Sequence, residues 1–285
     1  MLRIGTRGHA LALAQAEAVR RAIQQVITKR NFELVPVIEE APARGVDDIR
    51  EAIAAGKIDL GVYGAEDLPL RGMDLIALGA VTERLDPRVG LLTRRGSGFS
   101  SLQPAMRIGV CTRLQASQLL AMQRGFIPTP AVIDLEARTR DLTAGAFEAL
   151  IVPMSDLKRL GRESRVAEIL PVAQVMPSPG LGSLAVECRA GDRDMRAALA
   201  KIEESVSRRV FDAERAFLET LGAGDDPRAG AMAKIDGPMV RLRAVVLSPT
   251  GVQVLRDEEI GDDPSKVGRV LADRLLDAGA ADLLR

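Results

Sequence analysis

Five short stretches hold the side chains that could do chemistry. "TRGHA" offers the Arg7 guanidinium and the His9 imidazole, and "YGAEDLP" offers the Asp67 carboxylate beside Glu66. "GVCTR" brings Cys111, Thr112 and Arg113 together, and "LEARTRDL" adds Arg138 and Arg140. The fifth, "ETLGAGDDPRAGAM", is a loop by its glycines and proline, with Asp225 and Asp226 at its centre. Guanidinium groups and the free N–H groups at a helix start bind anions. A carboxylate accepts N–H donors or moves a proton, and a thiolate is a carbon nucleophile. Together the guanidinium groups and helix starts suit a small anionic ligand.

The elements that must position them follow from hydrophobic period. "LRIGTR" is a short strand, and Ala10 to Lys29 repeats apolar residues at helical spacing. "FELVPVIEE" is a strand, "DDIREAIAAGK" a helix stopped by Gly56, "IDLGVYGAEDLP" a strand running into a turn, and "DLIALGAVTE" a further strand. That β-α-β-α-β order predicts a parallel sheet covered by helices. It restarts with "VGLLTRR", "MRIGVCT", the helix "RLQASQLLAMQRG", a strand at "AVIDL", and a strand and helix start in "EALIVPMSDLKRLG". "GLGSLAVECR" is a strand, Met195 to Leu221 reads as one long helix, and three alternating strands precede a helix from Pro264 to Ala278. The expected architecture is two α/β lobes, residues 1–85 with 180–203 and residues 86–179, and a small α+β domain at 204–285. Open α/β sheets bind ligands at the carboxyl ends of their strands, and three of the five stretches fall there. Two lobes facing one another would form a cleft.

Composition removes several classes. Lys+Arg and Asp+Glu balance at 39 each, so no global field draws nucleic acid or an anionic membrane. Aromatics make up 2% of the residues, too few for a base-stacking platform. No run of about 18 apolar residues exists to span a bilayer, and no secretory leader is read. Cys111 and Cys188 form no zinc motif and read as reduced thiols of a cytoplasmic protein, Cys188 as packing within a strand.

At this level the chain resembles the hydroxymethylbilane synthase (porphobilinogen deaminase) family. The resemblance rests on "LRIGTRGHALALAQA", "DLGVYGAEDLP", "RLDPR", "IGVCTRLQASQLL", "LKRLGRESRV", "PSPGLGSLAVECR" and "FDAERAFLETLGAG", in order along nearly the whole chain. It implies two lobes like type II periplasmic binding proteins plus a small third domain. It implies joining four porphobilinogen molecules into a linear tetrapyrrole, with ammonia released each time. It also implies a dipyrromethane cofactor, made from porphobilinogen and held by a thioether to a loop cysteine. Asp67 matches the catalytic aspartate, which stabilises the azafulvenium cation and manages pyrrole N–H protons. Arg7 matches a family arginine, and His9 stands for a serine.

The chain also departs from that pattern. Asp225 stands where the anchoring cysteine is expected, so a covalent primer at that position is not expected. A carboxylate there would give a labile ester, hold a chain only non-covalently, or serve as a solvated turn pair with Asp226. Gly64 and Glu66 take the places of a serine and a lysine. Thr112 and Arg113 supply one guanidinium where a pair is expected, shifted by about two places. Arg138 and Arg140 either bind ligand or begin a solvated helix. Cys111 either replaces a serine or offers an alternative thiol. The mobile loop expected before the second helix is replaced by the short acidic "EEAPARGVDD". Three functions stay open: a synthase with an altered primer, a non-catalytic relative binding a pyrrole, tetrapyrrole or other small anion, and a scaffold. A monomer is expected, with no metal, nucleic acid or membrane partner.

Overall fold

The computed structural model describes residues 1–37, 46–222, 224 and 227–285. Its contacts divide the chain into two compact units, Met1–Leu85 with Gly182–Arg208, and Asp86–Leu181 with Arg209–Arg285.

The first unit is built on one five-stranded sheet. In chain order it holds β1 (Leu2–Thr6), α1 (Ala10–Val26), β2 (Phe32–Pro36), α2 (Asp47–Ala54), β3 (Leu60–Gly64) and β4 (Ile76–Val81). The strand order is β2-β1-β3, then β10 (introduced below), then β4. β1 runs parallel to both its neighbours. α1 forms as its apolar spacing predicts, but of the positions read as its apolar face, Leu11, Ala14, Ala18, Ile23 and Val26, only Leu11 and Ile23 are buried; Ala12, Ala16 and Val19 complete the buried stripe. α2 lies close on the sheet, because Gly61 has no side chain: a Cβ there would sit 2.7 Å from Ile49.

The second unit repeats the winding. β5 (Val89–Thr93), β6 (Arg107–Val110), α3 (Arg113–Ala121), β7 (Ile127–Pro130), α4 (Leu135–Ala144), β8 (Ala149–Pro153), α5 (Met154–Arg159) and β9 (Glu168–Ile169) give the sheet order β7-β6-β8-β5-β9. Here β6 is the strand parallel to both neighbours, as β1 is in the first sheet. The chain then returns to the first unit as β10 (Leu184–Arg189), antiparallel between β3 and β4. α6 (Arg193–Leu199) follows, and α7 (Ser205–Leu221) crosses the boundary between the units in sequence. The three-stranded antiparallel sheet β11 (Ala229–Asp236), β12 (Met239–Leu247) and β13 (Val254–Gly261) is covered by α8 (Pro264–Asp277) and α9 (Ala280–Leu284). Its core joins Val210, Phe217 and Leu221 of α7 to Leu242, Leu271 and Leu275. Leu114 and Met176 pack with Val245 and Leu247, which ties this sheet to α3 within the second unit. The three-part division read from the sequence is finer than these two units. The mixed α/β class with a small α+β part is as read, and the structure gives each of the two larger sheets five strands.

Two elements differ from the sequence reading. The strand expected at "AVIDL" lies one segment earlier, as β7, which pairs only with β6. Pro128 and Pro130 are tolerated there because an edge strand owes one side no hydrogen bonds. Asp134, by contrast, caps α4 by accepting from the N–H groups of Glu136 and Ala137. The long helix from Met195 is two helices. The Glu204 carboxylate accepts from the backbone N–H groups of Val206 and Ser207, so a new helix begins at Ser205. Leu199 packs in the first unit's core and Phe217 in that of the C-terminal sheet, so one apolar period served two different cores.

Candidate functional site

The loops after β1 and β3 end side by side, because those strands are neighbours in the sheet. Thr6 is fully buried, and its hydroxyl donates to the Ala12 and Val62 carbonyls, fixing the turn into α1. Arg7 follows. β3 closes in a single 3-10 turn, Ala65–Asp67, held by the Ala65 N–H on the Ser183 carbonyl. Across these ends Arg7 Nη1 donates to Asp67 Oδ2 at 3.0 Å. The Arg7 side chain is 14% exposed and that of Asp67 41%, so the carboxylate is held on one side and open on the other. His9 caps α1, its Nδ1 accepting from the Ala12 N–H at 3.3 Å. That assigns the proton of the neutral ring to Nε2, and a protonated ring would lose the cap. The Glu66 carboxylate turns back over Gly64: a Cβ on Gly64 would lie 2.6 Å from it. Any side chain at position 64 would expel the carboxylate, so these two departures from the resembled pattern depend on each other.

Beneath the turn lies a buried group that the sequence reading did not pick out. Glu187 Oε2 accepts from the Tyr63 hydroxyl and, at 3.1 Å, from Arg50 Nε. Arg50 also donates to the Arg71 carbonyl at 3.1 Å, in the segment that follows Asp67. All three side chains are almost fully buried. Burial, with Glu187 alongside, pushes the Tyr63 phenol well above its ordinary value. The β10–β4 register shifts at Val186/Glu187, where the strand turns from one pairing phase to the next. Arg50 and Glu187 are 137 residues apart, so no local spacing could have linked them.

The second unit carries its own cluster at the end of β6. Thr112 caps α3, accepting from the Gln115 N–H, and Arg113 is exposed on the first turn. The Cys111 N–H donates to Gln115 Oε1, and its thiol lies 3.8 Å from the Val132 carbonyl. Arg138, 3% exposed, reaches from α4 to donate to the Cys111 sulfur. Its Nη2 stands 3.8 Å from Asp156 Oδ2, and Ser155 donates to the other oxygen of that buried carboxylate. Cys111, Thr112 and Arg138 therefore meet, and Asp156 joins them. Arg140 does not, since two residues along a helix turn it to a different face. It lines a surface pocket between α4 and α5 instead.

Asp225 and Asp226 lie outside the described residues, as do Glu39 and Glu40 of the acidic stretch, while Asp47 and Asp48 open α2. The segment after Asp226 is anchored. Arg228 is buried and donates to the Leu283 and Arg285 carbonyls at the end of α9. Glu214 of α7, fully buried, accepts from the Gly180 and Ala233 N–H groups at 2.7 Å each. Among the described residues, no helix is long and apolar enough to cross a membrane.

Two like-wound α/β sheets with polar strand ends, followed by an α+β part, define the class of this protein. Comparison with known proteins gives the family. Residues 2–197 match "Porphobilinogen deaminase, dipyromethane cofactor binding domain", and residues 209–277 match "Porphobilinogen deaminase, C-terminal domain". The porphobilinogen deaminase of Nocardia farcinica is 34% identical over 305 residues, covering 99% of this chain and 88% of the relative. That of Roseiflexus castenholzii is 33% identical over 302 residues, covering 99% and 98%. Solved structures with a similar fold include a periplasmic substrate-binding protein of an ABC transporter from Coxiella burnetii, at 14% identity and a TM-score of 0.47, covering 73% of this chain and 94% of that one. The chain belongs to the porphobilinogen deaminase family.

Proposed function

We propose that this protein acts on porphobilinogen at the Arg7–Asp67 site, condensing it into a linear tetrapyrrole with release of ammonia. The observation that carries this reading is the Asp67 carboxylate, fixed by Arg7 at the end of β3 and two-fifths exposed. A carboxylate so placed accepts a pyrrole N–H and faces the methylene cation left when the amino group departs as ammonia. The methylene carbon then bonds to the next pyrrole, which gives up its ring proton. Arg7 is the group that meets an acetate or propionate arm of the substrate.

The family's dipyrromethane supplies the primer from which the chain grows. The residues here do not fit its covalent attachment at position 225, because an aspartate offers no sulfur. Cys111 is the thiol to be tested as an alternative, being half-buried with an Arg138 N–H on its sulfur.

One observation favours a second reading, a non-catalytic relative that binds a single pyrrole or another small anion. A growing chain gains two carboxylates per ring and needs many cations. Here Glu66 replaces a lysine, and Arg138 is buried against Cys111 and Asp156. The test is uroporphyrin formed from porphobilinogen by the purified protein, after oxidation, with Asp67→Ala and Cys111→Ser beside it. Product that vanishes in Asp67→Ala supports the synthase. Its further loss in Cys111→Ser assigns the primer to that thiol. No product, with saturable porphobilinogen binding that Arg7→Gln abolishes, supports the binder.

A further inference from the structure

The pocket that Arg140 lines lies between α4 and α5, has a volume of about 250 Å³, and belongs to neither strand-end cluster. Its floor is apolar: Leu92, Leu135 and Leu157 each contribute, and each is almost fully buried. Its rim holds three guanidinium groups, those of Arg140, Arg162 and Arg165. One carboxylate faces them, Glu136, which reaches Arg162 at 3.9 Å with both side chains more than half exposed. Among the described residues, Arg140 and Arg165 form no ion pair. Many of this chain's surface arginines do, for example Arg20 with Glu17, Arg88 with Asp86, Arg107 with Glu148 and Arg274 with Glu259. The local charge is therefore positive in a protein whose overall charge is zero.

We propose that this pocket is a binding site for a small organic dianion with an apolar body, of the dicarboxylate class. Two uncommitted guanidinium forks ask for two anionic groups. The leucine floor asks for a hydrophobic body between them, which a bare inorganic anion lacks. The volume is below the roughly 300–1000 Å³ of drug-sized sites, which limits the occupant to about one small ring or a short branched chain. The same helix carries Arg138 on another face, so an occupant bears on the element that holds the Cys111 cluster together. This site is independent of the function proposed for Asp67.

The test is calorimetric titration with phthalate as the aromatic dianion, benzoate as the monoanion and inorganic phosphate as the anion without an apolar body. Saturable phthalate binding is expected, with benzoate and phosphate each at least about tenfold weaker, the loss of one charge-assisted contact or of the apolar one. Arg140→Gln and Arg165→Gln are expected to weaken phthalate by about tenfold each, while Lys234→Gln leaves it unchanged. All variants are exposed-surface or loop changes whose folding circular dichroism checks. No saturable phthalate binding overturns the proposal. So does phosphate binding as tightly as phthalate, or phthalate binding kept in full in Arg140→Gln.

Discussion

Arg50→Met is the sharpest test of how the Asp67 turn is supported. The substitution keeps the aliphatic stem and removes the charge that balances Glu187. Both side chains of the pair are about 5% exposed or less, so the stranded carboxylate has no route to water. Breaking a buried pair from one side costs about 3–5 kcal/mol, mainly as an uncompensated charge. The Tyr63 hydroxyl still donates to Glu187, which moves the expectation toward the lower end, while the lost bond to the Arg71 carbonyl adds about 1 kcal/mol. The expected loss is therefore about 3–4 kcal/mol, a large share of a typical total of about 5–15. The chain has one tyrosine and no tryptophan, so tyrosine fluorescence in a urea titration reports on this group itself. Arg50→Met/Glu187→Gln removes both charges and keeps an acceptor for Tyr63, so most of the loss should return. A loss below about 1 kcal/mol in the single variant, or a double variant no more stable than the single, would refute the claim that an unpaired buried charge dominates here.

The remaining predictions concern other parts of the chain. An alkylating reagent should label one thiol of the native protein, Cys111, and reach Cys188 only after denaturation, because Cys188 is fully buried; mass spectrometry of the labelled peptides decides it. Burial pushes the Cys188 thiol up to about 11 and the Tyr63 phenol higher than usual. Their charged forms are excluded by the fold, so the stability they contribute is complete below the unfolded-state values and is lost as pH rises through the folded ones. Urea midpoints should fall from about pH 9 toward pH 11, by on the order of 2 kcal/mol from Cys188 alone, and the decline should shrink in Cys188→Ala. In α8, Gly268→Ala would gain about 1 kcal/mol from helix propensity, but its Cβ would stand 2.3 Å from the Ala213 carbonyl of α7. The clash should win, giving a net loss of about 1–3 kcal/mol in thermal melts.

How much of this was legible in the sequence depends on range. α1 and α8 announced themselves by apolar residues at helical spacing, while their caps, His9 and Asp263, were seen only in the structure. β3 and its turn were legible because a continuous apolar run ends at Gly64 and polar residues follow at once. β7 was missed because its two prolines argue against a strand unless the strand is known to be an edge, which is a property of the whole sheet. The break between α6 and α7 was missed because Glu204 caps with a side chain that also suits a helix interior. Arg138 and Arg140 were named together from one short stretch. A helix turns about 100° per residue, so positions two apart cannot serve one site, and only Arg138 reaches Cys111. The Arg50–Glu187 pair and the Asp156 support of Arg138 arise from tertiary placement alone.

The two strand-end guanidinium groups differ in what they have left to give. Arg7 is partnered by a carboxylate that is 41% exposed, and pairs of that kind are worth about 0–1 kcal/mol. On the proposed function, a ligand carboxylate would compete with Asp67 for Arg7, and that exchange would leave Asp67 open to the ligand's N–H. Arg138 is the opposite case. Its Asp156 partner is buried, at 9% side-chain exposure, and the half-buried Cys111 accepts from its Nη1. Drawing it toward a ligand would break a buried ionic contact, which costs more than one surface contact returns. Arg7 is thus the exchangeable cation and Arg138 the fixed one. Whether a growing chain can be held at all then turns on groups other than Arg138, which is why the Asp67→Ala and Cys111→Ser comparison discriminates between polymerisation and single-ligand binding.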